Sequence, residues 1–198
     1  KGIGVYDGGG GSVPFVTRPT AEPMRMVDLL RHTSGLTYGF QNRSNIDAAY
    51  RKSKIEAWYD NLDLDGFVAA LAKLPLEFSP GEAWNYSVST DVLAYLVGAI
   101  SGKPFDQFVR ERIFEPLGMA DTGLHVREGR GDRFAACYNA TAKGGLSLQD
   151  DPATSAYLKP PSLVSGGGGL VGTAADYMKF CQMLLNRGEY DGHRLIAP

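Results

Sequence analysis

The sequence predicts an α+β protein in which helices predominate. Several segments place apolar residues three and four positions apart, which gives a helix one apolar face, and Pro or Gly ends most of them. Between residues 120 and 165 this period is lost, and short strand-like runs alternate with Pro-bearing loop. The chain has 198 residues, of which 43% are hydrophobic, and this length suffices for one substantial core.

The first hundred residues predict four helices joined by loops. Met26, Val27 and Leu30 share helical spacing in the first, between Pro23 and Gly35. The last is the clearest: Ser89 or Thr90 is expected to cap it, and Gly102 closes it. Its apolar stripe comprises Val92, Leu93, Leu96, Val97 and Ile100. The predicted helices cover 24–31, 46–58, 64–73 and 89–102, with an extended stretch over 6–23 and an aromatic loop over 36–44.

The second half predicts two further helices separated by irregular chain. The first covers 105–114. The second lies between Thr173 and Gly188, and Thr173 is its expected N-cap, with Asp176 three positions on. Two short strands are expected over 122–126 and 133–138, and a Pro-rich loop over 152–163. The expected apolar face of the last helix comprises Tyr177, Phe180, Cys181, Leu184 and Leu185.

Charge and composition exclude several classes of function. A net charge of −2 gives no basic field for nucleic acid or an anionic membrane surface, and no apolar run approaches the ~20 residues of a membrane span. Cys137 and Cys181 form no C-x-x-C pair, and the histidines show no zinc-site spacing. We therefore expect no metal, no cofactor and no nucleic-acid or membrane partner. The lone thiols favour a cytoplasmic location.

No nucleophile motif of a serine hydrolase is present. The chain has neither a G-x-S-x-G elbow nor an S-x-x-K motif. Ser155 and Lys159 are four apart in a Pro-rich loop, which lacks the helix that would fix their geometry. The run Gly166–Gly169 lacks the G-K-[ST] ending of a phosphate loop. A Gly-rich loop packed near an active-site cleft is the preferred interpretation of that run.

Tyr86 precedes the clearest helix, and Pro80 and Gly81 bend the chain before it. A phenol with a reference pKa of ~10 becomes a base near neutral pH only when nearby cations stabilise its phenolate. From spacing alone, packing and catalysis both remain open for this side chain.

The run Met26–Leu36, with the letters DLLRHTSGL from Asp28 onward, resembles the DLLxHTSGL signature of serine β-lactamase-like proteins. These include class C β-lactamases, DD-peptidases and family VIII carboxylesterases. Further matches follow in the family's order over 78–82, 86–87, 91–93, 101–104, 113–119, 168–170 and 173–177. The resemblance covers nearly the whole chain and implies the helical domain of the β-lactamase/DD-peptidase-like fold with part of its antiparallel sheet domain.

The same resemblance assigns roles and predicts missing parts. It implies that Tyr86 is the catalytic tyrosine, working with a serine and a lysine of an upstream S-x-x-K motif, and that a late strand supplies an oxyanion donor. Neither is in this sequence. We therefore interpret residues 1–198 as one internal fragment, inactive alone, whose partners are the missing N- and C-terminal parts of the same protein.

The resemblance also bears on the substrate. The family's Y-x-N motif maps onto Tyr86, Ser87 and Val88, and Val88 has no amide for a β-lactam side chain. This favours a carboxylesterase acting on small esters through an acyl-enzyme. A β-lactamase or DD-peptidase, or a non-catalytic penicillin-recognising or scaffolding module, remains the alternative. Tyr38 and Phe40 line an ester pocket or form satellite core, Ser87 and Val88 are expected to contact substrate, and His32 and Ser34 are interpreted as structural.

Overall fold

The structure, a computed structural model, describes residues 3–56 and 62–198. The chain divides into two compact units. Unit 1 comprises Lys1–Lys103 with Ser162–Gly168, and unit 2 comprises Pro104–Pro161 with Gly169–Pro198.

Unit 1 combines a strand hairpin with four helices around one apolar core. The antiparallel strands β1 and β2 pair Val5 with Arg18 at the open end of the hairpin. Phe67, Tyr50 and Ile46 are among the largest fully buried side chains, and Leu163 joins the same cluster. The elements are β1 (Val5–Gly10), β2 (Val13–Arg18), α1 (Met26–Leu30), α2 (Asn45–Lys52), α3 (Leu64–Leu71) and α4 (Ser89–Ser101).

The predicted helices of unit 1 are present, but two details of their faces differ. In α1 the exposed residues include Met26 and Leu30, while Leu29 is buried. The Asp28 carboxylate is buried on the same side as Leu29, where it accepts from the Arg25 N–H of the helix's own N-cap. Helix α4 has no side-chain cap, and Ile100 is exposed. Helix α2 ends at Lys52, and its predicted end at Trp58 lies outside the described residues.

Residues 32–37 form no regular element, yet their carbonyls hold a second segment. Four of these carbonyls accept hydrogen bonds from backbone N–H groups of residues 77–88, and we call them the carbonyl row. The bonds run from Glu77 to Gly35 at 2.8 Å, Gly81 to Thr33 at 2.8 Å, Asn85 to His32 at 2.8 Å and Val88 to Thr37 at 3.3 Å. The row satisfies backbone donors that have no helix or sheet of their own, and it fixes the chain on both sides of Tyr86.

Unit 2 has a smaller core. Phe114, Leu117, Met119 and Met183 are buried together, with Phe180 packed against them. The elements are α5 (Phe105–Val109), continued by a π-helical turn over Arg110–Phe114, β3 (Cys137–Ala140) paired with β4 (Leu146–Asp150), α6 (Ala174–Leu185), and β5 (Glu189–Tyr190) paired with β6 (His193–Arg194).

The prediction for the irregular region of unit 2 was partly wrong. Residues 122–126 make only an isolated bridge between Gly123 and Val171. Residues 131–133 form a 3-10 turn, so the strand begins at Cys137. The Pro-rich segment 152–163 is loop with one 3-10 turn over Ala156–Leu158.

Helix α6 begins and ends as predicted but presents a different face to its core. Thr173 caps it by accepting from the Asp176 N–H. Tyr177 and Leu185 are exposed, because the inward face is defined by Asp176, Phe180 and Met183. The Asp176 carboxylate accepts from the Asp121 N–H at 2.7 Å, which turns the helix toward that contact. No helix of the described residues is long and apolar enough to cross a membrane.

Replacing Gly35 by Ala is expected to destabilise the protein by about 3 kcal/mol. Gly35 has φ +83°, and a Cβ there would lie 2.3 Å from the Phe78 carbonyl oxygen. Backbone strain at positive φ and overpacking therefore add. Thermal unfolding of the variant measures the loss.

The matched control is Gly102→Ala. Gly102 has φ +69°, and a Cβ there would have nothing within 4 Å, so only the strain of about 1–2 kcal/mol applies. Equal losses for the two variants would contradict the proposed role of the Phe78 contact.

Candidate active site

The segment around Tyr86 is extended, and its side chains alternate between solvent and core. Trp84 and Tyr86 are exposed, while Asn85 and Ser87 are buried. This is the period of two expected of extended chain. The alternation places the Tyr86 ring outside, where 47% of the residue's surface is accessible, while its neighbours anchor the backbone.

Three hydrogen bonds fix the backbone on which the Tyr86 ring is mounted. The carbonyl row binds the N–H groups of Asn85 and Val88. Between them, the Gln41 side-chain amide donates to the Tyr86 carbonyl. Among the described residues, the Tyr86 hydroxyl itself has no hydrogen bond. The phenol oxygen is therefore free to exchange a proton, while the chain that carries it is held.

Asn85 uses both ends of its buried amide. Its Nδ2 donates to the Leu36 carbonyl at 2.9 Å and to Glu77 Oε2 at 2.8 Å. Its Oδ1 accepts from Gln41 Nε2 at 3.2 Å and from Arg43 Nη2 at 2.6 Å. All hydrogen-bonding groups of this buried amide are thus satisfied. Replacing its donor or its acceptor would leave a neighbouring group without a partner, so the amide specifies this arrangement. Asn85 thus forms hydrogen bonds with three separate segments, at Leu36, at 41–43 and at Glu77, next to Tyr86 in the chain.

Five rings form a continuous aromatic row across this surface. Successive ring centroids are 6.2, 5.1, 5.0 and 4.9 Å apart, in the order Trp84, His32, Tyr86, Tyr38 and Phe40. Offset and tilted contacts at these distances are attractive. Tyr86 is at the centre of the row, so its ring has an aromatic neighbour on each side.

Below the row, three buried serines form a chain of hydroxyls. Ser87 Oγ lies 3.3 Å from His32 Nδ1 and 2.7 Å from Ser89 Oγ, which in turn is 2.7 Å from Ser34 Oγ. The sequence analysis interpreted His32 as structural, and its imidazole contacts Ser87 and Tyr86. Ser87 is too deeply buried to attack a substrate, so the pair orients His32 rather than forming a nucleophile and base.

Asp91, on the first turn of α4, is a fully buried acid beside the row. The sequence analysis included it in the family match over 91–93 but gave it no role. Its Oδ1 accepts from Ser165 Oγ at 2.6 Å and from two N–H groups of the Gly-rich loop. Burial raises the pKa of its carboxyl, although these hydrogen bonds oppose the effect. The sequence analysis interpreted Gly166–Gly169 as a loop packed near an active-site cleft, and the contact of this loop with Asp91 is consistent with that interpretation.

The four predicted substrate-contacting residues differ in their exposure to solvent. Phe40 is 60% exposed and borders Tyr86 through Tyr38, but Tyr38 is only 5% exposed and belongs to the core. Ser87 and Val88 are each 0% exposed. Their predicted contact with substrate is therefore corrected: both follow Tyr86 into the interior, where Val88 packs with the core and Ser87 joins the hydroxyl chain. Phe40 alone remains a candidate contact residue of the four.

Other candidate groups have structural partners. The Ser155 hydroxyl donates to Asp150 Oδ2 at 2.7 Å and accepts from the Tyr157 N–H, so it closes a turn rather than pairing with Lys159. Within residues 3–56 and 62–198, no three His, Cys, Asp or Glu side chains converge as a metal site.

Comparison with known proteins establishes the family. The family model described as Beta-lactamase matches residues 12–197. The chain belongs to the β-lactamase family. It is 38% identical over 182 residues to Protein Rv1367c of Mycobacterium tuberculosis, covering 92% of this chain and 44% of that protein. It is 31% identical over 185 residues to esterase EstB of Burkholderia gladioli, covering 85% of this chain and 44% of EstB.

The fold comparison agrees. The solved structure of EstCE1, a hydrolase with promiscuous acyltransferase activity, superposes with a TM-score of 0.70 at 24% identity, covering 87% of this chain and 48% of that one. The predicted α+β class and the β-lactamase/DD-peptidase-like fold are confirmed. The chain spans about half the length of the relatives it matches.

Replacing Asn85 by Asp is expected to cost about 3 kcal/mol at neutral pH, because a carboxylate oxygen would then face the Leu36 carbonyl and Glu77. Like charge and burial raise the folded-state pKa of the new acid above its unfolded value of about 3.9. The loss is thus complete above the folded pKa and shrinks as pH falls toward the unfolded one. Urea unfolding from pH 4.5 to 8 measures this.

The control is Asn139→Asp, an exposed position on strand β3 that is not at a helix end. We expect it to change stability by less than about 0.5 kcal/mol at every pH. A pH-independent loss in Asn85→Asp would contradict the assigned contact with Glu77.

Proposed function

We propose that the full-length protein hydrolyses small carboxylic esters through an acyl-enzyme, with Tyr86 as the general base and acid. The observation that carries the proposal is the combination of a half-exposed phenol, a hydroxyl without a hydrogen bond among the described residues, and a backbone held by the carbonyl row. A proton-transfer group needs this combination of access and fixed position. The kinship with esterase EstB supports the ester as substrate.

The proposed cycle moves one proton at a time through the Tyr86 oxygen. The cycle starts from the Tyr86 phenolate, which the lysine of the S-x-x-K motif would stabilise. The phenolate oxygen accepts the proton of a serine hydroxyl as the serine attacks the ester carbonyl, and then returns the proton to the departing alcohol. Water next attacks the acyl-serine and gives its proton to the same phenolate oxygen. Tyr86 then passes this proton to the departing serine oxygen as the acid leaves, which restores the serine hydroxyl and the phenolate. The serine and its lysine would come from the part of the protein outside this chain, consistent with the half-length coverage of the relatives.

The position after Ser87 supports an ester over a β-lactam. In the Y-x-N motif the third residue offers an amide to the substrate, whereas here Val88 has no polar side-chain atom and is buried in the core. A β-lactam side chain would therefore find neither a donor nor an acceptor at that position. Turnover of p-nitrophenyl butyrate beside a chromogenic cephalosporin separates the two activities, and penicillin binding without turnover of either would indicate a non-catalytic module.

Tyr86→Phe is expected to lower kcat for p-nitrophenyl butyrate by about 10²-fold or more while the thermal unfolding temperature stays within about 2 °C, because only the hydroxyl is lost. Tyr177→Phe, which removes the hydroxyl of an exposed tyrosine on α6, is the control and should retain full activity. Near-normal turnover of Tyr86→Phe would rule out the proton-transfer role.

Phe40→Ala is expected to raise KM for p-nitrophenyl butyrate about 5- to 10-fold with kcat changed less than about 2-fold, because an apolar wall contributes to binding of substrate and transition state alike. Ile100→Ala, which truncates an exposed apolar residue on α4, should leave both constants unchanged. The proposed wall would be refuted by a Phe40→Ala enzyme with wild-type KM.

A further inference from the structure

Asp91 is a fully buried acid with one carboxyl oxygen left without a partner among the described residues. The residue is 0% exposed, and within the described part of the chain no cation pairs with it. Its Oδ2 has no hydrogen-bond partner there. An unpaired buried carboxyl costs free energy, so a compensating role is expected for this side chain.

One carboxyl oxygen organises the Gly-rich loop Ser165–Gly168. Oδ1 accepts from Ser165 Oγ at 2.6 Å, from the Gly166 N–H at 3.1 Å and from the Gly167 N–H at 3.2 Å. The Ser165 hydroxyl in turn accepts from the N–H groups of Gly167 and Gly168. The loop is thus wrapped around the end of one side chain.

The loop backbone lies directly against α4 and the tip of Tyr38. A Cβ on Gly166 would lie 2.2 Å from the Thr90 carbonyl oxygen, and one on Gly167 would lie 3.0 Å from Tyr38 Oη and 3.3 Å from Asp91 Oδ2. These glycines are needed for close approach rather than for flexibility. The loop therefore covers the hydroxyl end of Tyr38.

Tyr38 also contacts the Tyr86 ring. Its ring lies 5.0 Å from the Tyr86 ring and 4.9 Å from Phe40. Burial raises the pKa of Tyr38, and the nearby Asp91 and Tyr86 raise it further. Tyr38 accordingly remains a neutral phenol at pH 7 and acts as a fixed wall beside the exposed ring.

We propose that Asp91 is a positioning residue for Tyr86: its carboxyl fastens the loop Ser165–Gly168 onto α4, and the loop holds Tyr38 against the Tyr86 ring. The proposal rests on the proposed function for its kinetic consequence. Asp91 does not touch the reacting atoms, so its effect is carried by the loop and by Tyr38.

The kinetic test compares variants of Asp91 and Ser165 in the full-length protein with p-nitrophenyl butyrate. Asp91→Ala removes the acceptor and is expected to lower kcat about 10- to 100-fold with KM changed less than about 3-fold, because a misplaced catalytic group slows chemistry more than binding. Asp91→Asn keeps an oxygen for the loop and should recover kcat to within about 5-fold of wild type. Ser165→Ala removes one donor and should lower kcat about 3- to 10-fold.

The control is Asp176→Ala on α6. Asp176 is also a buried carboxylate, and it accepts from the Asp121 N–H and the Thr122 hydroxyl. It is expected to lower the unfolding temperature about as much as Asp91→Ala, yet to leave kcat within about 2-fold. Equal kcat values for the two alanine variants would reduce Asp91 to a stabilising residue and overturn the proposal.

A second readout does not depend on turnover. With 3-fluorotyrosine incorporated at position 86, the ¹⁹F resonance is expected to shift or broaden in Asp91→Ala and Ser165→Ala, and to stay at its wild-type position in Asp176→Ala. An unchanged resonance in Asp91→Ala overturns the positioning role. Absence of ester hydrolysis by the unsubstituted protein would instead refute the proposed function, and the resonance would still decide the role of Asp91.

Discussion

The hydrogen bonds between the carbonyl row and residues 77–88 are the constraint on which the candidate site depends. They run between backbone atoms, so they fix the path of the chain independently of most side chains. Gly35 is the exception, since its positive φ and its approach to Phe78 admit no Cβ. The row places Asn85 inward and Tyr86 outward, and the aromatic row and the hydroxyl chain assemble around that placement.

Around this frame, several polar side chains are buried. Asn85, Asp91 and the serines near His32 are all removed from water, and nearly all of their atoms are hydrogen-bonded within the described structure. Networks of this kind specify one arrangement, because any shift leaves donors or acceptors unsatisfied. The result is a phenol on a fixed backbone whose hydroxyl has no hydrogen bond among the described residues.

Sequence patterns predicted the helices and the family well, because helical period and short motifs are local. They failed where a tertiary polar contact decides orientation. Asp176 turns α6 toward Asp121, so the most apolar face of that helix is not the buried one. Val88 and Ser87 looked like contact residues by analogy with Y-x-N, yet the alternation beginning at Trp84 buries Ser87, and Val88 opens α4 against the core. Asp91 lies within the family match over 91–93, but its role was not predicted because its partners are more than seventy residues away in the chain.

The alternation over 84–87 makes the site sensitive to insertions and deletions. Adding or removing one residue between Gly81 and Tyr86 would exchange the two sides of the extended chain, turning the phenol inward and the Asn85 amide toward solvent. Point substitutions at the exposed rings would change the surface while leaving its frame intact. Variation within this group of proteins should therefore preserve loop length before Tyr86 more strictly than the identity of the residues beside it.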